Sequence, residues 1–213
     1  MSDEEATFDL GPSFPHESSR RLAPGTAILL LGPAGVDRRE FAYELLAAGQ
    51  RRAEGVVLVS TDVPGVAARG AYEEVTGTGE DDRLFVVDST GTGGDGVVPV
   101  PSPGDLTELG TALTRGFQAL EDTERTRVGL LSLTAMLDHL DRGGVFKFCT
   151  TLARRVEKGG MLGVCTLNPD ACNEQTLAML TDAFDVVVEL DERGSGVSCR
   201  VTGPDGKSNW NPV

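Results

Sequence analysis

Ala27-Ile28-Leu29-Leu30-Leu31-Gly32-Pro33-Ala34-Gly35-Val36-Asp37-Arg38-Arg39 is the stretch on which the fold of this chain turns. Its opening run of apolar residues does not alternate with polar ones, which predicts a strand buried on both faces of a parallel sheet. Gly32, Pro33 and Gly35 then turn the chain. From Arg38 to residue 53, Phe41, Leu45, Leu46 and Ala48 recur at roughly helical spacing, so a helix begins just after the turn.

A buried strand, a glycine-bearing turn and a helix N-terminus together form the frame of a phosphate-binding loop. A working loop of the pattern GxxxxGK[ST] wraps phosphates in backbone N–H groups, reaches the outer phosphates with lysine and holds magnesium with a hydroxyl. Aligned on Gly32, the last three places here are Asp37, Arg38 and Arg39. Asp37 puts a side chain and a negative charge where glycine would let an anion approach. Arg38 keeps the positive charge on a bulky planar fork that does not replace lysine freely. Arg39 brings no hydroxyl for a metal. Gly32, Gly35, Asp37, Arg38 and Arg39 are thus expected to form a vestigial phosphate loop. The plainer alternative is a strand-to-helix turn in an unrelated α/β protein.

The 213 residues suffice for one sizeable α/β domain but not for two full ones. A formal net charge of −14 opposes sequence-independent binding to phosphate backbones, so nucleic acid and anionic membranes are poor partners. Of 19 basic residues only Lys147, Lys158 and Lys207 are lysine, against 33 carboxylates. This balance resembles that of proteins from salt-loving archaea, whose acidic surfaces are screened once the Debye length falls to about 3 Å near 1 M salt. Cys149, Cys165, Cys172 and Cys199 show no CxxC spacing and are expected to be reduced, mostly buried thiols. The opening Met1-Ser2-Asp3-Glu4-Glu5 is acidic, unlike a secretory signal, and no apolar run nears the roughly 18 residues of a bilayer span. A cytoplasmic protein without direct membrane insertion is expected.

Residues 1–22 mix acidic, Pro and Ser residues and predict an acidic, flexible or loosely docked arm, with a single domain over 23–213. Further strands are predicted at 55–60, 84–88, 127–133 and 161–166, and helices ending near 75 and over 105–121, 145–156 and 173–183. A Gly/Pro/Ser/Thr-rich connector spans 90–103. Strands at 184–190 and 197–201 are expected to close the chain as a hairpin around Arg193-Gly194-Ser195-Gly196. The alternation gives an α/β fold, a parallel sheet with helices on both faces and an antiparallel C-terminal hairpin.

Three stretches, in this order and spacing, resemble the RecA-like ATPases and specifically their KaiC-like branch, abundant in archaea. They are Leu30-Leu31-Gly32-Pro33-Ala34-Gly35-Val36, Val57-Leu58-Val59-Ser60-Thr61-Asp62-Val63-Pro64 and Arg127-Val128-Gly129-Leu130-Leu131-Ser132-Leu133-Thr134, within a similarity covering about residues 23–202. The resemblance implies a RecA-like sheet and assigns roles to places. In such proteins the second strand ends in an acidic pair whose carboxylate activates the attacking water; here the pair reads Thr61-Asp62, leaving Asp62 as the remnant. A further strand ends in an aspartate that organises magnesium, before Ser-Leu-Thr; here Leu131 precedes Ser132-Leu133-Thr134, leaving Ser132. Leucine cannot orient a hydrated metal. Asp88 closes an apolar strand in the same style and offers an alternative metal aspartate, although early in the chain.

Phosphoryl transfer relies on positioning and electrostatics, so alteration of the phosphate cradle, magnesium ligands and water activator together predicts little activity. The expectation is a non-catalytic protein without cofactor, a regulatory or scaffolding module in an archaeal cytoplasmic system for signalling, motility or cell organisation. Its partners are expected to be proteins, self-association included. The alternative is an unconventional ATP-binding protein or slow ATPase, taking ATP with magnesium through Arg38, Asp62 and Asp88. A DNA-binding recombinase is disfavoured by the charge and by the lack of a basic, aromatic-bearing loop. His139 has no nucleophile or ligand spacing around it, and Trp210 reads as a plug that docks the C-terminal tail.

The charge balance gives a first test. Thermal unfolding is expected at a higher midpoint in multimolar potassium chloride than in dilute buffer, because screening removes the self-repulsion of a −14 chain. A higher midpoint in dilute buffer would remove the basis for a salt-adapted protein.

Overall fold

In the computed structural model, residues 7–12, 14–77, 83–194, 196–204 and 206–213 are described. The continuous apolar runs form the centre of a ten-stranded sheet. In chain order β1 is Phe8–Asp9, β2 Arg21–Leu22, β3 Ala27–Leu31, β4 Gly55–Ser60, β5 Leu84–Asp88 and β6 Val97–Pro99. They are followed by β7 Thr126–Leu131, β8 Leu162–Leu167, β9 Val186–Arg193, β10 Gly196–Gly203, β11 Gly206–Lys207 and β12 Asn211–Pro212. The sheet runs β11-β10-β9-β3-β8-β7-β4-β5-β6, with β12 also paired to β10, while β1 and β2 pair separately. From β9 through β3 to β6 all neighbours are parallel; β10 returns antiparallel on β9, with Gly196 opposite Arg193. The expected hairpin is present, with Ser195 at its tip outside the described residues.

Because strand side chains alternate between faces, β3 sends Ile28 and Leu30 to one core and Ala27, Leu29 and Leu31 to the other. The first core is covered by α1 (Arg38–Ala47) and α2 (Gly65–Thr76). The second is covered by α3 (Leu106–Ala119), α4 (Leu133–Leu137), α5 (Arg142–Gly159) and α6 (Glu174–Thr181). Four of these helices start on a short acid or amide whose side chain accepts an otherwise unpaired N–H: Asp37 from Glu40, Asp105 from Glu108, Asp141 from Gly144 and Asn173 from Thr176.

Several expectations change. The first helix stops at Ala47, and a short 3-10 turn covers Gln50–Arg52. Gly49, between them, is closely packed: a Cβ there would stand 2.2 Å from Glu54 Oε2 and 2.4 Å from Arg127 Nε. The connector 90–103 contributes β6, paired parallel to β5. The N-terminal segment is also no loose arm from residue 7 onward; residues 1–6 lie outside the described residues. Phe8, Leu10 and Phe14 are buried, β1 pairs with β2, and His16 bonds the Cys199 carbonyl and the Asn211 side chain at 3.2 Å each. As expected, the thiols of Cys149, Cys165 and Cys199 are buried, and all four cysteines are free. Trp210 is held between the guanidinium groups of Arg193 and Arg200, 4.0 and 4.5 Å from its ring centre.

The segment is held by Arg127, whose side chain has no solvent exposure. Its Nε donates to Glu54 Oε2 at 2.6 Å, one terminal nitrogen to the Leu45 carbonyl at 2.5 Å and the other to the Asp9 carbonyl at 2.9 Å. The Phe8 ring lies 5.4 Å from the guanidinium carbon. Arg127→Ala leaves Glu54 buried without its cation, which costs on the order of 3–5 kcal/mol. Urea unfolding of the variant should show this loss, with faster proteolysis between residues 7 and 22. A loss below about 1 kcal/mol would show that the ion pair is not what anchors the segment.

Candidate functional site

The carboxyl ends of the parallel strands face one side of the sheet, where open α/β folds place their ligands. There the turn after β3, Asp62 beyond β4 and Thr166 near the end of β8 line a cavity of about 350 Å3. Its floor is the loop singled out in the sequence, and α1, packed on β7 and β8, rises from it.

Three N–H groups of the loop and of the start of α1 are turned to internal partners. Val36 N–H donates to the Pro33 carbonyl at 3.1 Å, Arg38 N–H to the Val36 carbonyl at 2.8 Å and Glu40 N–H to Asp37 Oδ1 at 2.9 Å. A phosphate cradle needs such donors free and converging on an anion. Here a carboxylate already occupies the helix N-terminus, where the dipole favours it. Among the described residues no ion pair joins Asp37 to Arg38 or Arg39. Arg39 instead reaches across the cavity to Asp62 Oδ2 at 2.7 Å, with both side chains partly exposed. Arg38 has no ion pair among the described residues, and burial, opposed by Asp62 and Asp37 and reinforced by Arg39, lowers its pKa from the usual arginine range.

Two further side chains shape the cavity and were not foreseen. A Cβ on Gly35 would stand 3.5 Å from Glu192 Oε1, so a second carboxylate from the β9 end leans over the loop. Thr166 Oγ1 accepts the Ser132 N–H at 2.8 Å, binding the end of β8 to that of β7. Thr166 could have been sought in the sequence by asking which residue ends the strand beside the loop strand; Glu192 carries no such signal, because the hairpin's length sets its reach.

The remaining places are filled structurally. Thr61 Oγ1 donates toward the carbonyls of Leu131 and Ser132, at 2.5 and 2.7 Å. Leu131 is buried, 1% exposed, in the core under α1 and α2. Ser132 caps α4 by accepting from Ala135 N–H, and its backbone lies at φ 87°, ψ 80°, a conformation uncommon outside glycine. Asp88 is not brought to the loop. Four strand spacings separate β5 from β3, about 19 Å across the sheet. Burial raises the Asp88 pKa, but hydrogen bonds from the Thr90 hydroxyl and from the N–H groups of Gly65, Thr90 and Gly93 outweigh it and hold the carboxyl below its usual range. Asp88 thus ties down the 89–93 turn.

ATP with magnesium, the group implied by such a frame, finds a poor match in these residues. The helix N-terminus is capped by Asp37, the Gly35 face is overlooked by Glu192, the aspartate place is a core leucine and Asp62 is engaged by Arg39. No group of three or more His, Cys, Asp or Glu residues suited to a metal occurs among the described residues.

The architecture is RecA-like. It is shared with the KaiC-like protein PH0186 from the hyperthermophilic archaeon Pyrococcus horikoshii OT3, at TM-score 0.64 and 15% identity over 97% of this chain and 91% of that one. The flagellar accessory protein FlaH from Methanocaldococcus jannaschii matches at TM-score 0.57 and 14% identity over 92% and 86%. At these identities the likeness concerns the fold. The chain belongs to the family of unknown function DUF7504, whose model matches residues 25–190. No curated protein matches.

If Asp37 is a cap, Asp37→Ala should cost about 1 kcal/mol in urea unfolding and Asp37→Ser should restore most of it. Arg39→Ala should cost less than about 1 kcal/mol, because its pair with Asp62 is partly solvated. Equal, larger losses for Asp37→Ala and Arg38→Ala would instead point to a pair between those two.

Proposed function

We propose that this protein is a non-catalytic RecA-like module that works by binding protein partners, itself included, in an archaeal cytoplasmic system for signalling, motility or cell organisation. The observation that carries this is the loop closed on itself, with Asp37 seated at the helix N-terminus and Arg39 committed to Asp62. Asp37 caps α1, Asp62 is paired with Arg39 and Leu131 is core, so these three places of the phosphoryl-transfer apparatus are engaged in holding the fold; Arg38, at the lysine place, is not ion-paired among the described residues. The acidic, lysine-poor surface supports a salt-adapted setting and disfavours nucleic acid as partner. Among the described residues no helix is long and apolar enough to cross a membrane.

A second reading, an unconventional ATP-binding protein, draws on Arg38 alone, a cation without an ion pair that lines the cavity. Calorimetry with ATP and magnesium separates the two. The module should show no binding tighter than about 1 mM and no phosphate release above background. Asp37→Gly, Arg38→Lys and Arg39→Thr combined with Glu192→Gln should gain measurable nucleotide affinity without turnover, since Leu131 remains. Tight binding by the unmodified protein, or magnesium-dependent turnover lost in Asp62→Ala, would overturn the non-catalytic reading.

A further inference from the structure

α5 buries Val145, Phe148, Cys149, Leu152 and Val156 against the sheet. On its opposite side Lys147, Thr151, Arg154 and Lys158 are all exposed. Steps of four, three and four residues at 100° each keep them within a stripe roughly 60° wide and about 16 Å long. Two of the chain's three lysines therefore sit on one helix face. The third, Lys207, pairs with Glu189 at 3.5 Å.

The stripe has two features that bear on a partner. First, Lys147, Arg154 and Lys158 have no ion pair among the described residues, although carboxylates outnumber cations in the chain. Several arginines elsewhere find carboxylates, Arg20 and Arg52 at Asp9, Arg39 at Asp62 and Arg200 at Glu189, while Arg125 and Arg142 take the Thr7 carbonyl and the Gln175 side chain. The nearby Arg155 is turned aside, onto the Phe117 ring and the Thr114 hydroxyl. Second, Arg154 and Lys158 stand four residues apart, a like-charge spacing that weakens a helix. The helix dipole offsets part of this only for Lys158, in the last turn.

We propose that this face of α5 docks an acidic segment of a protein partner, with carboxylates along one side meeting Lys147, Arg154 and Lys158. Charge complementarity selects the occupant. A duplex or a membrane presents phosphates over a broad surface and would meet the −14 body as well as the stripe. A single acidic helix or strand is narrow enough to meet the three cations while leaving the exposed Glu157, about 60° beyond Arg154 around the helix, to one side. The face lies on the α3 to α6 side of the sheet and is independent of the loop, so nucleotide titrations and stripe measurements fail separately.

The full chain is titrated, by fluorescence anisotropy, into a labelled alanine-rich helical peptide with glutamates at the same four-three-four spacing and into its glutamine counterpart. The glutamate peptide should bind at least about tenfold more tightly, charge pairing being the only difference. Lys147→Glu, Arg154→Glu and Lys158→Glu together should abolish that preference. Lys147→Arg with Lys158→Arg should keep it and confirm that charge, not helix damage, is read. Equal binding of the two peptides, or an unchanged preference in the reversed variant, overturns the proposal. So does self-association of the free protein that the reversal abolishes, which would give the face to a second copy. Binding of duplex DNA or phosphatidylglycerol vesicles lost on the same reversal would give it to phosphate and likewise overturn the proposal.

Discussion

A guanidinium removed from water must find all its partners inside the protein, and Arg127 does so by joining parts of the chain far apart in sequence. Its ion pair with Glu54 lies between the starts of β7 and β4, and its two remaining donor groups reach the end region of α1 and the first strand. Burying such a pair is costly, and Glu54 Oε1 has no partner among the described residues to offset its share. What the pair provides is location. Packed against Gly49, which leaves no room for a Cβ, the ion pair ties the start of β4 to Leu45 in α1 and to Asp9 in the N-terminal segment. The orientation of α1 on β7 and β8 sets the cavity at its other end.

The strands that could be read from the sequence are those whose burial is local. β3, β4 and β5 are unbroken apolar runs, and each occupies the span predicted for it. What was hidden depends on partners supplied by the fold. β6 is three residues that pair only because β5 leaves an edge open, and β11 and β12 exist by returning to β10. The N-terminal segment looked loose because its apolar residues are isolated among polar ones. Phe8 becomes core only when Arg125 and Arg127 come beneath it, and a basic residue opening a strand gives no warning of that.

The site divides in the same way. The loop's frame and its departures from a phosphate cradle could be read directly, because they are matters of composition. Which carboxylate meets which cation could not, because Asp62 and Arg39 are brought together by the packing of α1 across two strands. For Asp37 a signal was available: Asp37-Arg38-Arg39-Glu40 repeats the spacing of Asp105-Leu106-Thr107-Glu108, and both aspartates cap the helix that follows. An aspartate before a helix is a cap first, and a partner for its neighbouring arginines only if the N–H groups are already satisfied.

The side chains at the ends of β4, β7 and β8 are also interlocked. Thr61 is a hydroxyl because it donates toward two carbonyls of the neighbouring strand end; a carboxylate there, which can only accept when ionised, would lose both contacts. Leu131 is packed in the core below α1, so an aspartate in its place would bury an unpaired charge. Ser132 tolerates its positive φ because Thr166, Thr61 and Ala135 hold its N–H, carbonyl and hydroxyl at once. A carboxylate at Thr61 would thus cost hydrogen bonds to the neighbouring strand end, and an aspartate at Leu131 would cost core packing. The loop can therefore be altered from the solvent side, at Asp37 to Arg39, more readily than at the strand ends, where each side chain is part of the sheet's own hydrogen bonding and packing.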